Sequence, residues 1–307
     1  MGRAKALPLV VAFTVGLMVV SQARINGQLA IELGSGLDAA TVSFVTGLMV
    51  VAVIVGATRP GRAGLRALVH AVRTRTLVPW QLIGGFLGAY FVWTQSLAVP
   101  AVGVALFTVA VVAGQTTNSL VIDRLGVGPV GVLAITPMRV VAAIVGLAAV
   151  IVSVLPRWSS TSFTWWAVVA SIAAGALIAL QQAINGRVAR ASSSWTATAL
   201  NFALGATTLS VAVVVVTLLG EPFAFVELPT TPWLYLGGPI GVAFIAAAAW
   251  VVPILGVLRF GLVSIAGQLS GAVLLDLIAP TSGSMITVGL LAGVLLAFLA
   301  VVVSARR

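Results

Sequence analysis

Ser21-Gln22-Ala23-Arg24-Ile25-Asn26-Gly27 closes a long apolar run, and most of it occurs again as Gln181-Gln182-Ala183-Ile184-Asn185-Gly186. Both copies carry a Gln and, four residues later, an Asn-Gly. A Phe and a Gly follow at similar distances, Phe44 and Gly47 in the first copy, Phe202 and Gly205 in the second. Amides inside apolar helices cost free energy unless they find partners. Their return at one spacing points to two copies of one unit.

The composition sets the class. The 307 residues are 61% hydrophobic and 7% charged, with a mean hydropathy of +1.20. A soluble domain carries about 25% charged residues. Repeated apolar runs of about 20 residues match the helix length that crosses a bilayer core. The sequence therefore predicts an all-α polytopic membrane protein. The net charge of +10 does not indicate nucleic acid. Arg59, Arg62, Arg66, Arg73 and Arg75 share one loop and most other basic residues flank apolar runs, which is how positive charge orients a membrane protein. The Arg59–Arg75 loop also suits anionic lipid headgroups. The chain has no cysteine, which removes disulfides and thiolate chemistry. The start, with Arg3, Lys5, an apolar stretch and Ser21-Gln22-Ala23, resembles a signal peptide. The matching helix at 165–188 cannot be one, so the first is expected to be a retained span.

Ten transmembrane helices are expected, at about 7–28, 38–57, 80–98, 102–122 and 133–155, then 165–187, 195–219, 233–251, 256–277 and 285–304. Pro79–Asp123 aligns without gaps on Pro232–Asp276, with 15 identities in 45 positions. They include Pro79-Trp80 on Pro232-Trp233, Gly84, Gly85 and Gly88 on Gly237, Gly238 and Gly241, Gln115 on Gln268, and Asp123 on Asp276. Gln and Asp are rare here, so shared hydrophobicity cannot produce those matches. The chain divides into a first five-helix repeat, 1–156, and a second, 157–307, forming one integrated membrane domain. Alternating spans put the basic loops on one side and Glu32, Asp38, Glu221 and Glu227 on the other. The basic side is expected in the bacterial cytoplasm, with both termini. Five spans per unit is odd, so the two repeats are inverted, an arrangement many secondary transporters use with the substrate site near the midplane.

These residues resemble a known group. Gln-x-x-x-Asn-Gly in span one, Phe-x-x-Gly in span two, Gly-Gly-x-x-Gly in span three, Gly-Gln with a following Asp in span four and Pro137-x-Arg139 opening span five are similar to the YdcZ-like proteins of the drug/metabolite transporter superfamily. The chain looks like two such units fused. The resemblance implies an inner-membrane transporter, taken to be an exporter, with poorly defined substrates. The expected function is a secondary transporter that exports a small polar or amphipathic metabolite by alternating access. Two departures stand out: the second half lacks counterparts of Arg139 and of Arg24, where it carries Ala183. The superfamily's small multidrug members use a buried Glu in the first span, and spans one and six here hold no acid in their cores.

Gln22 and Asn26, like Gln181 and Asn185, share a helical face. They either line a cavity or hold helices together. Gln115 and Gln268 carry the same two readings. Arg24, between the first two amides, either attracts an anionic substrate, snorkels outward, or pairs with Glu32 or Asp38. Arg139 and Arg259 suit snorkelling at span ends. Asp123 and Asp276 are the only acids repeated in both halves; they are candidates for ion coupling or solvated interfacial carboxylates. His70 stands alone, so no metal or cofactor is implied, and no catalytic motif marks an enzyme. The competing class is a non-transporting membrane scaffold, assembly factor or lipid-binding sensor.

Overall fold

The structure is a computed structural model and describes residues 3–129, 131–132, 134–157, 164–220, 228–280 and 286–305. Glu221 and Glu227 lie outside them, and the side chains of Arg139 and Arg259 are likewise not described. The elements are helical: α1 (Arg3–Leu33), α2 (Gly36–Ala57), α3 (Arg59–Arg73), α4 (Gly84–Val102), α5 (Val104–Arg124), α6 (Pro137–Val154), α7 (Trp165–Ala191), α8 (Ser194–Leu218), α9 (Gly237–Ile278) and α10 (Val288–Ala305).

α9, with the 3₁₀ turn Pro232–Leu236 before it, covers two spans, Pro232–Leu255 and Phe260–Ile278. Its beginning and its end both lie on α1: Gln22 Nε2 donates to the carbonyl of Gly237 at 2.7 Å, and Arg24 Nε to that of Ala279 at 3.1 Å. A straight helix of 42 residues would part those ends by roughly 60 Å. The chain must therefore reverse between the arms. The first half makes the same reversal at Gly103, whose φ of 84° favours glycine. With the arms of α9 counted separately, eight helices among the described residues are long and apolar enough to span, and α6 and α10 hold two shorter apolar runs, Val140–Val154 and Val288–Ala300. The fold is the expected all-helical one of about ten membrane helices.

α4 fixes the relative direction of the halves. Its start, Gly84, lies against Asn185 near the end of α7, while Val99 lies against Gly27 near the end of α1. The intervening turns rise about 22 Å, so α1 and α7 end at opposite faces and the units are inverted. Each unit's first helix packs along the fourth helix of the other. A Cβ on Gly16 would meet the Ser264 carbonyl at 2.0 Å, and one on Gly175 the Val111 carbonyl at 1.9 Å. Only glycine permits those approaches, the usual device where apolar solvent gives helices no hydrophobic drive to associate.

Charge and aromatics sort by end. Arg187 and Arg190 close α7 beside the turn after α5, and α3 packs on the same end through Gly64 against Ser193 and Thr196. Glu32 and Asp38 lie at the opposite end, where α1 meets α2. Exposed Trp80 and Trp195 mark the basic end, and exposed Trp165, Trp166 and Trp233 the other, as interfacial belts do.

Two expectations need correction. The Arg59–Arg75 segment, read as a loop, is helix α3 over Arg59–Arg73, capped by Thr58, whose Oγ1 accepts from the Gly61 N–H at 3.2 Å. Its Gly61, Gly64 and Ala71 face the protein. Leu65, Val69 and Val72 are exposed on the adjoining arc, next to Arg59, Arg62, Arg66 and Arg73. That spacing is helical, and it was legible. The third span starts at Gly84 rather than 80, because Pro79–Leu82 forms a 3₁₀ turn first.

Candidate functional site

The repeated amides meet the other unit's glycines reciprocally. Gln22 donates to the Gly237 carbonyl at 2.7 Å; Gln181, its counterpart, donates to the carbonyl of Gly84, the counterpart of Gly237, at 3.1 Å. A Cβ on Gly237 would meet Asn26 Oδ1 at 2.3 Å, and one on Gly84 would meet Asn185 Oδ1 at 2.4 Å. Gly241 and Gly88 leave room for Gln22 and Gln181 in the same way. The glycine triplets thus make space for amides of the opposite repeat.

Each amide pair has a further partner, and here the units differ. Asn26 Nδ2 donates to Gln95 Oε1 at 2.9 Å. In the second copy Asn201 Oδ1 accepts from Gln181 at 2.9 Å and from Asn185 at 3.2 Å. The counterpart of Asn201 is Ser43, and that of Gln95 is Ala248, so duplication alone could not reveal either. Gln22 Oε1, Asn26 Oδ1, Ser43 Oγ, Gln95 Nε2 and Asn201 Nδ2 are buried without a partner among the described residues. The amide N–H groups of Gln22 and Asn26 therefore bind helices, while their oxygens keep free acceptor capacity.

Between the two amide clusters lies a small central cavity of about 20 Å³, room for one water molecule. Val15 and Val19 of α1, Ile178, Gln181 and Gln182 of α7, and the paired residues Phe91 and Phe244, Gln115 and Gln268, face it with Val111 and Ala248. Gln115 Nε2 donates to Gln182 Oε1 at 3.2 Å, and Gln115 Oε1 is buried without a partner among the described residues. Gln268 Nε2 reaches Ser264 Oγ at 3.4 Å. Among the described residues no charged side chain lines this space. Of the residues singled out in the sequence, Gln115, Gln268 and Gln181 come together here. Gln22, Asn26 and Asn185 do not line it. Gln182 joins them, though its unpaired counterpart, Ala23, gave no signal.

The acids are not solvated. Asp123 and Asp276 are 2% and 3% exposed. Asp276 accepts from the N–H groups of Val104 and Ala105 at 3.2 and 2.7 Å, capping the start of α5. Arg24 binds the same helix end, three residues on at Ala279. Arg24 bonds the Ala279 carbonyl at the end of α9 and Gln28 Oε1 at 3.2 Å, and Gln28 in turn donates to Glu32 at 3.3 Å. It holds a helix C-terminus, where a cation is favoured. The second half supplies the same contact from another position. Arg187 bonds the carbonyls of Val127, at 2.5 Å, and of Gly126, the counterpart of Ala279. Arg187 is the counterpart of Gln28, one turn beyond Ala183, so the asymmetry seen at Arg24 is a one-turn exchange of the cation.

The architecture defines a polytopic helical membrane protein of two inverted, interlocked units, with polar amides at their interface. The chain belongs to the family described as "Putative inner membrane exporter, YdcZ", whose sequence model matches residues 7–152 and again 166–303, two units in one chain. It is a multi-pass inner-membrane protein of an exporter family. A crystal structure with 20% identity shares the fold at a TM-score of 0.55, covering 99% of this chain and 97% of that one. Among curated proteins no match is found.

Proposed function

We propose that the protein is a secondary transporter exporting a small polar or amphipathic metabolite by alternating access. The observation that supports this reading most is the cavity at the inverted-repeat interface, where Gln115, Gln181, Gln182 and Gln268 supply amides and Phe91 and Phe244 supply apolar faces. Transporters with inverted repeats bind substrate near the midplane, where the halves rock about a fixed site. Glycine contacts between α1 and α9, and between α5 and α7, make each first helix a rigid partner of the opposite unit. The repeats, 1–156 and 157–307, work as one membrane domain.

The basic end faces the bacterial cytoplasm with both termini, following the arginine distribution. There α3 lies on anionic headgroups, its Leu65, Val69 and Val72 dipping into the interface and its arginines at phosphate level. Asp123 and Asp276 are the coupling acids. Protonating Asp276 would remove an acceptor from the first amides of α5, beside the Ala279 carbonyl that Arg24 holds, loosening the end of α9.

Purified protein in liposomes, given a broad metabolite panel under imposed pH or Na⁺ gradients, should move at least one compound against its gradient. If nothing moves, the transport reading fails.

A further inference from the structure

A second concave site, separate from the central cavity, opens at the basic end. It is an open concavity of about 410 Å³ between the turn after α5 and the end of α7, with Thr76, Gln81, Arg187 and Arg190 as its polar side chains and the backbone of Gly128 and Pro129 along one wall. That volume falls in the range of ordinary small-molecule sites. Among the described residues no acid lines it.

Among the described residues the two arginines are the only charged side chains in that lining, and their hydrogen-bond partners are backbone carbonyls. Arg187 bonds the carbonyls of Gly126 and Val127, and Arg190 that of Pro129. A guanidinium has about five N–H donors, so each retains donors directed to no acceptor among the described residues. The contacts also join the units, since the carbonyls belong to the first repeat and the arginines to the second. Arg187 and Arg190 are therefore a clasp between the halves, made of backbone carbonyls that a better acceptor could replace. Carboxylate and phosphate are better acceptors, bidentate to guanidinium and roughly twice as strong as neutral ones.

We propose that this vestibule binds a small anion, a phosphate or carboxylate group, between Arg187 and Arg190, and that the anion releases the clasp on the turn at Gly126–Pro129. The group could be carried by a soluble compound or by an anionic lipid headgroup at the same membrane face. The site makes no claim on the exported substrate, and its test requires no transport.

Amide hydrogen exchange of the whole protein in lipid nanodiscs reads it. In phosphatidylcholine discs, inorganic phosphate or malonate should raise exchange at Gly126, Val127 and Gly128 several-fold, and leave the middle of α4 unchanged. Exchange raised by a soluble anion assigns the site to free anions. Exchange raised only when phosphatidylglycerol enters the discs assigns it to the lipid headgroup. Both effects should vanish in Arg190→Gln, whose exposed side chain can change without disturbing the core, and in Arg187→Gln. No response to either anion source, or a response that survives both substitutions, overturns the proposal. Flux in liposomes is scored separately, so loss of transport and loss of this site are distinct results.

Discussion

Phe44 and Phe202 meet across the two units with ring centroids 5.0 Å apart and planes tilted by 42°. Each ring also covers the glycine that follows the other's Phe: a Cβ on Gly205 would lie 2.1 Å from the Phe44 ring, and one on Gly47 2.2 Å from that of Phe202. The duplicated Phe-x-x-Gly is thus a reciprocal lock. Its Phe needs the partner's Gly, and neither unit could keep its motif if the other lost it.

Gly47→Ala and Gly205→Ala should each destabilise the protein by about 1–3 kcal/mol, the usual range for overpacking a filled core. Thermal unfolding in detergent would show it as a lowered Tm. Phe202→Leu should restore much of the loss in Gly47→Ala and little in Gly205→Ala, because the clashing ring in the second case is Phe44. Equal rescue of both would contradict the pairing.

The amides separate by role. Gln22→Leu strands the Gly237 carbonyl, and Asn26→Leu strands Gln95, so both should lower stability, by about 1 kcal/mol each. Gln115→Leu loses a bond to Gln182 and a free acceptor in the central cavity, and should abolish transport with the fold retained. Unfolding and flux measured on the same preparations decide it. Full transport in Gln115→Leu would remove that residue from the substrate site.

Much of this architecture was legible because duplication marks what both halves need. Gln22 and Gln181, the glycine triplets and the two Phe-x-x-Gly motifs stand out against an apolar background, and they are the residues that meet at the two-fold interface. What stayed hidden broke the symmetry. Asn201 is matched by Ser43, Gln95 by Ala248, and the work of Arg24 passes to Arg187 a turn further on, so position-by-position comparison registers three losses where the structure shows substitutions of means. Asp276 was visible, but its role was not. Sequence places it at a span's end, and only the fold brings the first amides of α5 to it. Helix α3 differs in kind: its arginines mark charge, while the helical spacing of Leu65, Leu68, Val69 and Val72 carries the secondary structure.

Membrane orientation gives another prediction. Reporter fusions after Arg66 and at Arg307 should both report cytoplasm, because α3 and the chain's end are expected on the arginine-rich side. A fusion in the α1–α2 connection, after Gly34, should report the opposite compartment. A periplasmic signal at one of Arg66 and Arg307 would break the inverted-repeat topology; at both, it would reverse the orientation and move the vestibule of Arg187 and Arg190 outside.

The Asp276–Arg24 relation offers the sharpest test of coupling. Asp276 uses both carboxylate oxygens, one on Val104 N–H and one on Ala105 N–H, and Arg24 holds the carbonyl of Ala279 three residues further on. Asn in its place keeps one acceptor and turns an NH₂ toward the other donor, so Asp276→Asn should cost about 1–3 kcal/mol, the penalty for leaving a buried donor unsatisfied. Arg24→Gln removes the grip on Ala279 and should also destabilise. The double variant should lose less than the sum, since each single change already forfeits the attraction between them. Strict additivity would show that the two charges do not communicate. If Asp276 also carries the coupling proton, transport by Asp276→Asn should persist as downhill flux and stop responding to an imposed pH gradient. A variant that still concentrates substrate in response to that gradient would leave Asp276 as a helix cap alone, and coupling would have to be sought at Asp123.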